Sequence, residues 1–374
     1  MANRALLPHA RERLMLHDRD APHIGAVEVA LPEHRYPQKE LFALLARRWS
    51  RAPRNVARLA SLHEAVGVEG RHTALPLDEY ETLDTFGKAN DAFIRVGTEL
   101  GARAVTAALA QAGLAAGDVG AIFFTTVTGL AVPTLDARLV NVLGLRPSVR
   151  RVPMFGLGCV GGAAGLARTA DHLRAYPEDV AVLLSVELCS LTLQDDLSVA
   201  NLIASGLFGD GAAAVVLHGA RATRPAGGTA FTPARVVASR SAFFPDTERV
   251  MGWDIGEHGF KVVLSAEVPS MVHRHLPREV DAFLGEHGLR RSDIAHWVCH
   301  PGGPKVITAM EDALALPEGA LAITRRSLAA VGNLSSASVL HVLAQTGRSA
   351  RRGDLGVLMA MGPGFCAELV LLEW

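Results

Sequence analysis

The chain has 374 residues, with 37 Lys+Arg against 38 Asp+Glu; 49% of its residues are hydrophobic and 20% are charged. The near-zero charge balance excludes a protein that works through a bulk field on nucleic acid. The apolar fraction excludes disorder, and the length points to two domains or two packed halves. Only Lys39, Lys88, Lys261 and Lys305 are lysines, so cationic chemistry here is arginine chemistry. Arginine suits phosphate recognition, although a GC-rich genome produces the same bias. Cys159, Cys189, Cys299 and Cys366 stand apart, without the CxxC pairs of a zinc site or a disulfide framework. A reduced, cytoplasmic setting is the expectation. No apolar core follows Arg4, Arg11 and Arg13, so the start does not read as a signal peptide. The most membrane-like stretch, Leu355 to Leu372, contains Gly362, Pro363, Gly364 and Glu368. It reads as two buried strands around a turn, so no membrane insertion is expected.

Apolar runs of strand length alternate with alanine-rich segments of helix length, the pattern of an α/β protein. In chain order the sequence predicts a helix over 91–112, a strand over 121–126, a helix over 160–175, and strands over 180–186 and 212–217. A Gly/Pro/Thr-rich linker from Gly219 to Pro233 follows. Beyond it come a helix over 269–287, a strand over 294–299, helices over 305–314 and 334–346, and strands over 355–361 and 366–372. The linker divides the chain into halves 1–225 and 226–374.

The halves look related. Residues 107–129 align with 282–303, setting Gly113 on Gly288, Leu114 on Leu289 and Asp118 on Asp293. GCVGGAAGL from Gly158 matches GNLSSASVL from Gly332, which sets Cys159 on Asn333. GDGAAAVVL from Gly209 matches GPGFCAELV from Gly362. Three matches in one order predict duplication of an α/β unit; chance similarity between Ala/Gly-rich helices is the alternative.

Cys159 follows an extended apolar segment ending in glycines and opens a helix of small residues, VPMFGLGCVGGAAGLA. A helix N-terminus favours thiolate, so the position suits a nucleophile; a buried structural cysteine is the alternative. His300 ends an apolar strand and begins the turn Pro301-Gly302-Gly303. With Asn333 at the repeat-related position of Cys159, pseudo-twofold packing would bring thiol, imidazole and amide to one site. Cys, His and Asn in this order also describe a papain-like hydrolase, but the C-G-[SA]-C-[WY] signature is absent. An α/β-hydrolase elbow fails because Leu157 stands two before the nucleophile. A non-catalytic binding or scaffold role is a third reading, against which all three chemical positions weigh.

GLGCVGGAAGL, LFGDGAAAVVL, HPGGPKVI, GNLSSASVL and MGPGF together resemble the chalcone-synthase-like type III polyketide synthases of the thiolase superfamily, bacterial more than plant. The resemblance implies a thiolase fold: duplicated αβαβα halves forming a five-layered core, assembled as a homodimer. It implies Cys159, His300 and Asn333 as catalytic residues, acyl-CoA and malonyl-CoA as substrates, and no metal or organic cofactor. It carries Phe208 over as the aromatic between the CoA tunnel and the cavity. Gly302 and Pro363 are placed with the substrate-binding residues, and Thr192 and Ser335 as cavity-lining positions.

Departures from the family pattern bear on the product. The plant gatekeeper phenylalanine aligns with Val262, which would admit a different starter. Naphthol-forming bacterial members often carry a second cysteine where Val127 stands. Of the plant CoA-binding basic residues only Arg58 falls in place, within the run Arg47, Arg48, Arg51, Arg54 and Arg58; a solvated face explains that run equally well. These features led to an expected fatty acyl-CoA starter and an alkylpyrone or alkylresorcinol product.

Overall fold

A computed structural model describes residues 21–49, 53–223 and 231–374. The strands are β1 His23–Ala30, β2 His34–Pro37, β3 Gly70–Thr73, β4 Val119–Thr126, β5 Arg150–Phe155, β6 Val180–Leu188, β7 Asp210–His218, β8 Ala234–Phe243, β9 Met251–Gly256, β10 Gly259–Leu264, β11 His296–Cys299, β12 Leu355–Gly362 and β13 Cys366–Glu373. The apolar runs read from the sequence become β4, β6, β7 and β12, buried at every position because helices cover both faces.

The duplication is visible in strand order. Nine strands form one sheet, β11-β12-β13-β8-β1-β7-β6-β4-β5. In the first half β4 pairs parallel with β6, β6 antiparallel with β7, and β7 antiparallel with β1. The second half repeats this: β11 parallel with β12, then β12 with β13 and β13 with β8, both antiparallel. β4 thus answers to β11 and β7 to β13, as the sequence repeats predict. The halves meet where His23 and Ile24 of β1 pair with Arg235 and Ala234 of β8.

Helices Gly161–Ala175 and Ser336–Gly347 pack on each other between the halves, each touching strands of both. Ala163, Leu166, Ala167 and Ala170 of the first share a core with Ala337, Leu340 and Leu343 of the second. Small residues make this contact possible. A Cβ on Gly162 would lie 2.2 Å from the Ser336 carbonyl oxygen, so the two helix starts approach backbone to backbone. Helix Phe86–Ala112 covers the outer face of the first half. Helices Val268–Glu286 and Pro304–Leu314 cover that of the second. The layers run helix, sheet, helix, sheet, helix, which is the thiolase architecture. Of the expected linker, residues 224–230 lie outside the described residues, as do Arg4, Arg11, Arg13 and Arg51.

Two smaller strand pairs, β2–β3 and β9–β10, stand outside the main sheet. The sequence reading missed them, and β1 and β8 too, because their apolar residues mix with charged and polar ones. It also missed helix Val199–Leu207, whose start is capped by Ser198 accepting from the Asn201 N–H.

Candidate active site

Cys159 lies in the single helical turn Gly158–Val160 that leads into Gly161–Ala175. Gly158 has φ of 54°, and a Cβ there would meet Pro363 Cδ at 2.6 Å, so the approach to Cys159 requires glycine. His300 follows β11; its N–H donates to the Met359 carbonyl at 2.9 Å. Asn333 is fixed by backbone bonds to the segment after helix Val199–Leu207. Its N–H donates to the Leu207 carbonyl, and its own carbonyl accepts from Gly209 N–H, both at 2.9 Å. Phe208 and Asn333 thereby form an isolated parallel bridge. The Asn333 side chain accepts through Oδ1 from Ser335 N–H at 2.8 Å and from Ser338 Oγ–H at 3.3 Å. That leaves its amide N–H groups for the cavity, which Asn333 lines with Cys159. Ser335 holds a left-handed φ of 48°, and its Oγ lies 3.9 Å from Cys159 Sγ.

Cys159, His300 and Asn333 line one cavity of about 500 Å³, together with Val127, Phe208, Val262, Gly302, Ser335 and Pro363. The sequence assigned all of these to the site. Two further assigned residues do not line this cavity. Thr192, in the turn Cys189–Thr192, lines an adjoining cavity of about 1040 Å³. Its Oγ1–H donates to the Cys189 carbonyl at 2.8 Å. Arg58 is exposed and lines neither cavity. Of its neighbours, Arg47 lines the larger cavity, and the side chains of Arg48 and Arg54 lie outside the described residues. Among the described residues, the Lys or Arg side chain lining the catalytic cavity is Lys305, exposed at the start of helix Pro304–Leu314.

Burial governs the charge states. It pushes the Cys159 thiol up to about 12, against the opposing pull of hydrogen bonds from Ser335 and Asn333. It drives His300 down to about 3. Burial thus works against charge on each group, and among the described residues both ring nitrogens of His300 lack a hydrogen-bond partner.

Glu187 escaped the sequence reading. It is fully buried in β6, behind the cavity. Its carboxylate accepts from Val127 N–H at 3.0 Å, Thr128 Oγ–H at 2.8 Å and Thr126 Oγ–H at 3.3 Å, and from the Ser336 hydroxyl. Burial raises its pKa to about 7, and its charge raises that of Cys159. A charged residue inside the apolar run VAVLLSVEL was the available signal. Cys189, also unassigned, lines both cavities.

The duplicated five-layer fold with this constellation defines an acyl-transferring enzyme of the thiolase type. The chain belongs to the chalcone and stilbene synthases: the family's N-terminal domain matches residues 26–221 and its C-terminal domain residues 235–373. It is 53% identical to a 1,3,6,8-tetrahydroxynaphthalene synthase of Streptomyces peucetius subsp. caesius, over 94% of this chain and 93% of that one. It is 35% identical to a putative chalcone synthase of Bacillus subtilis, over 94% of this chain and 98% of the other. The solved 1,3,6,8-tetrahydroxynaphthalene synthase of Streptomyces coelicolor superposes with a TM-score of 0.86 at 32% identity, covering 94% of this chain and 99% of that one. The protein is a bacterial-type, chalcone-synthase-like type III polyketide synthase. No helix among the described residues is long and apolar enough to cross a membrane.

Proposed function

We propose that the enzyme builds a poly-β-keto chain from malonyl-CoA on Cys159 and closes it to a polyhydroxylated aromatic of the tetrahydroxynaphthalene kind. The observation that carries this is the convergence of Cys159, His300 and Asn333 on one cavity from repeat-related positions. His300, neutral and unbonded, takes the proton as Cys159 attacks the thioester carbonyl, and CoA leaves as its thiol. Loss of CO2 from a second malonyl-CoA leaves an enolate. The Asn333 amide and the His300 N–H donate to its oxygen, and these uncharged donors stabilise the developing charge more than the starting carboxylate. The enolate carbon then attacks the Cys159 thioester and expels the Cys159 sulfur, which regains its proton; the lengthened β-ketoacyl-CoA reacylates Cys159 with release of CoA, and the cycle repeats. The reaction as proposed uses no metal or organic cofactor.

The product assignment follows the relatives. Tetrahydroxynaphthalene has oxygens on alternating positions of a ten-carbon skeleton, so malonyl units account for all its carbon and no separate starter is needed. A fatty acyl starter with an alkylpyrone or alkylresorcinol product is the second reading. It is favoured by Val262 and Val127, which keep the cavity wall aliphatic. The test offers pure enzyme malonyl-CoA alone, then with hexanoyl-, lauroyl- or benzoyl-CoA, without added metal, and reads products by mass spectrometry. Aromatic product from malonyl-CoA alone, abolished in Cys159→Ala, is expected. Turnover only with a fatty acyl-CoA overturns the product assignment, and full product from Cys159→Ala overturns the mechanism.

We assign the dimer contact to the open edge of the sheet. β5 is largely exposed, with Val152 and Phe155 on it, and Val132 on a neighbouring loop is 98% exposed. An unpaired, partly apolar edge strand of this kind is a template for a second copy.

A further inference from the structure

Three successive carbonyls at the end of helix Val199–Leu207 are each taken by a different element. A helix leaves its last carbonyls without partners of its own, and a cation there is favoured by the helix dipole. The Gly206 carbonyl accepts from Gln38 Nε2–H at 2.8 Å, the Leu207 carbonyl from Asn333 N–H at 2.9 Å, and the Phe208 carbonyl from Arg71 Nη1–H at 2.6 Å. Arg71 Nε–H also donates to Gln38 Oε1 at 3.1 Å, which joins the two side chains into one clamp. The clamped helix is a cavity wall: Ala200, Ile203 and Leu207 line the catalytic cavity, and Asn201, Ala204 and Ser205 the larger one.

Arg71 is 7% exposed and is not among the described residues that line the catalytic cavity. It belongs to β3, which pairs with β2 apart from the main sheet. The residues around it nevertheless brace both segments that frame Asn333. Glu69 N–H donates to the Ala329 carbonyl at 2.8 Å, on the helix Ala322–Val331 that leads into Asn333. Ala74 N–H donates to Asp210 Oδ2 at 2.6 Å, at the start of β7. The Arg71 stem fills the space beside Gly332, where an added Cβ would lie 3.1 Å from Arg71 Cγ. Asn333 is tied through its backbone to Leu207 and Gly209, on either side of the residue whose carbonyl Arg71 holds. A charge-assisted bond is about twice as strong as a neutral one. A misplacement of about 1 Å at a reacting group can cost about 10² in rate, so what fixes this segment bears on the chemistry.

We infer that the Gln38–Arg71 pair positions Asn333 for the decarboxylation step, by holding the Gly206 and Phe208 carbonyls on either side of the Leu207 carbonyl that Asn333 binds. The inference rests on Asn333 donating to the enolate oxygen. Arg71→Met tests it, since it keeps an aliphatic stem and removes the donors. Gln38→Met applies the same test at a half-buried site, so that a folding fault at Arg71 does not decide the result. Malonyl-CoA decarboxylation, with kcat and KM separated, is read beside Cys159 acylation and the melting curve. Decarboxylation kcat is expected to fall about tenfold or more in Arg71→Met and about threefold or more in Gln38→Met, with KM and acylation within about twofold. Either change made on top of Asn333→Ala is expected to cost less than about twofold further, because the group it positions is gone. Equal losses of acylation and decarboxylation in both variants, or the same fold-loss with and without Asn333, overturn the inference alone. So does wild-type decarboxylation in both beside a loss in Asn333→Ala. Wild-type decarboxylation in Asn333→Ala overturns the enolate-donor reading and this inference together.

Discussion

Replacing Asn333 by alanine separates the two half-reactions. The side chain does two things in the structure: it leaves its amide N–H groups for the cavity it lines, and its Oδ1 accepts from Ser335 and Ser338. Removing one donor from a developing oxyanion costs about 10²–10³ in rate, or about 3–4 kcal/mol of barrier, so malonyl-CoA decarboxylation should fall by that factor. Acylation of Cys159 should stay close to wild type, because His300 still accepts the thiol proton. The alanine also strands the buried Ser335 N–H, at a stability cost of about 1–3 kcal/mol, which a melting curve should register. Asn333→Asp controls for this, since it keeps an acceptor for Ser335 and Ser338. With a carboxylate beside the enolate oxygen, decarboxylation should fall at least as far while the melting temperature recovers. The assay pairs release of labelled CO2 from carboxyl-labelled malonyl-CoA with intact-mass detection of the acyl-enzyme. Wild-type decarboxylation in Asn333→Ala, or loss of acylation equal to that in His300→Ala, would refute the assignment of Asn333 as an enolate donor.

Burial raises Glu187 from 4.5 to about 7, so the folded state keeps a proton that the unfolded chain loses, and stability declines as pH rises through that window. Glu187→Gln should flatten the fall in melting temperature between those pH values, only in part because Asp210 is raised to about 6 by the same cause; an unaltered slope contradicts the shift. Gly162→Ala puts a methyl 2.2 Å from the Ser336 carbonyl and should cost about 1–3 kcal/mol of stability along with activity. Gly117→Ala, with nothing within 4 Å, should change neither, and equal effects from the two would discount the close approach. With the pairing proposed across the β5 edge, the wild type should sediment as a dimer and Phe155→Asp as a monomer; a dimeric variant places the contact elsewhere, and a monomeric wild type overturns the pairing.

The sequence by itself determined the parts of this protein that repeat or are buried on both sides. Continuous apolar runs can only be strands with both faces covered, which is why β4, β6, β7 and β12 were legible. The match of GCVGGAAGL to GNLSSASVL carried the duplication and set Cys159 against Asn333, because small residues at a close helix crossing cannot drift. Tertiary structure decided what depends on how separate segments enclose space. It placed Thr192 in the larger cavity and Ser335 in the catalytic one, although the family resemblance named both only as cavity-lining, and it left Arg58, carried over as a CoA-binding position, exposed. It surrounded Cys159 and His300 with a burial that disfavours charge on both, which the local sequence does not show because desolvation comes from atoms far along the chain. Glu187, a single charge in an apolar run, acquires its meaning only when Thr126, Val127, Thr128 and Ser336 close around it. The two faces of helix Val199–Leu207 likewise become two cavity walls only after the β9–β10 hairpin folds against them.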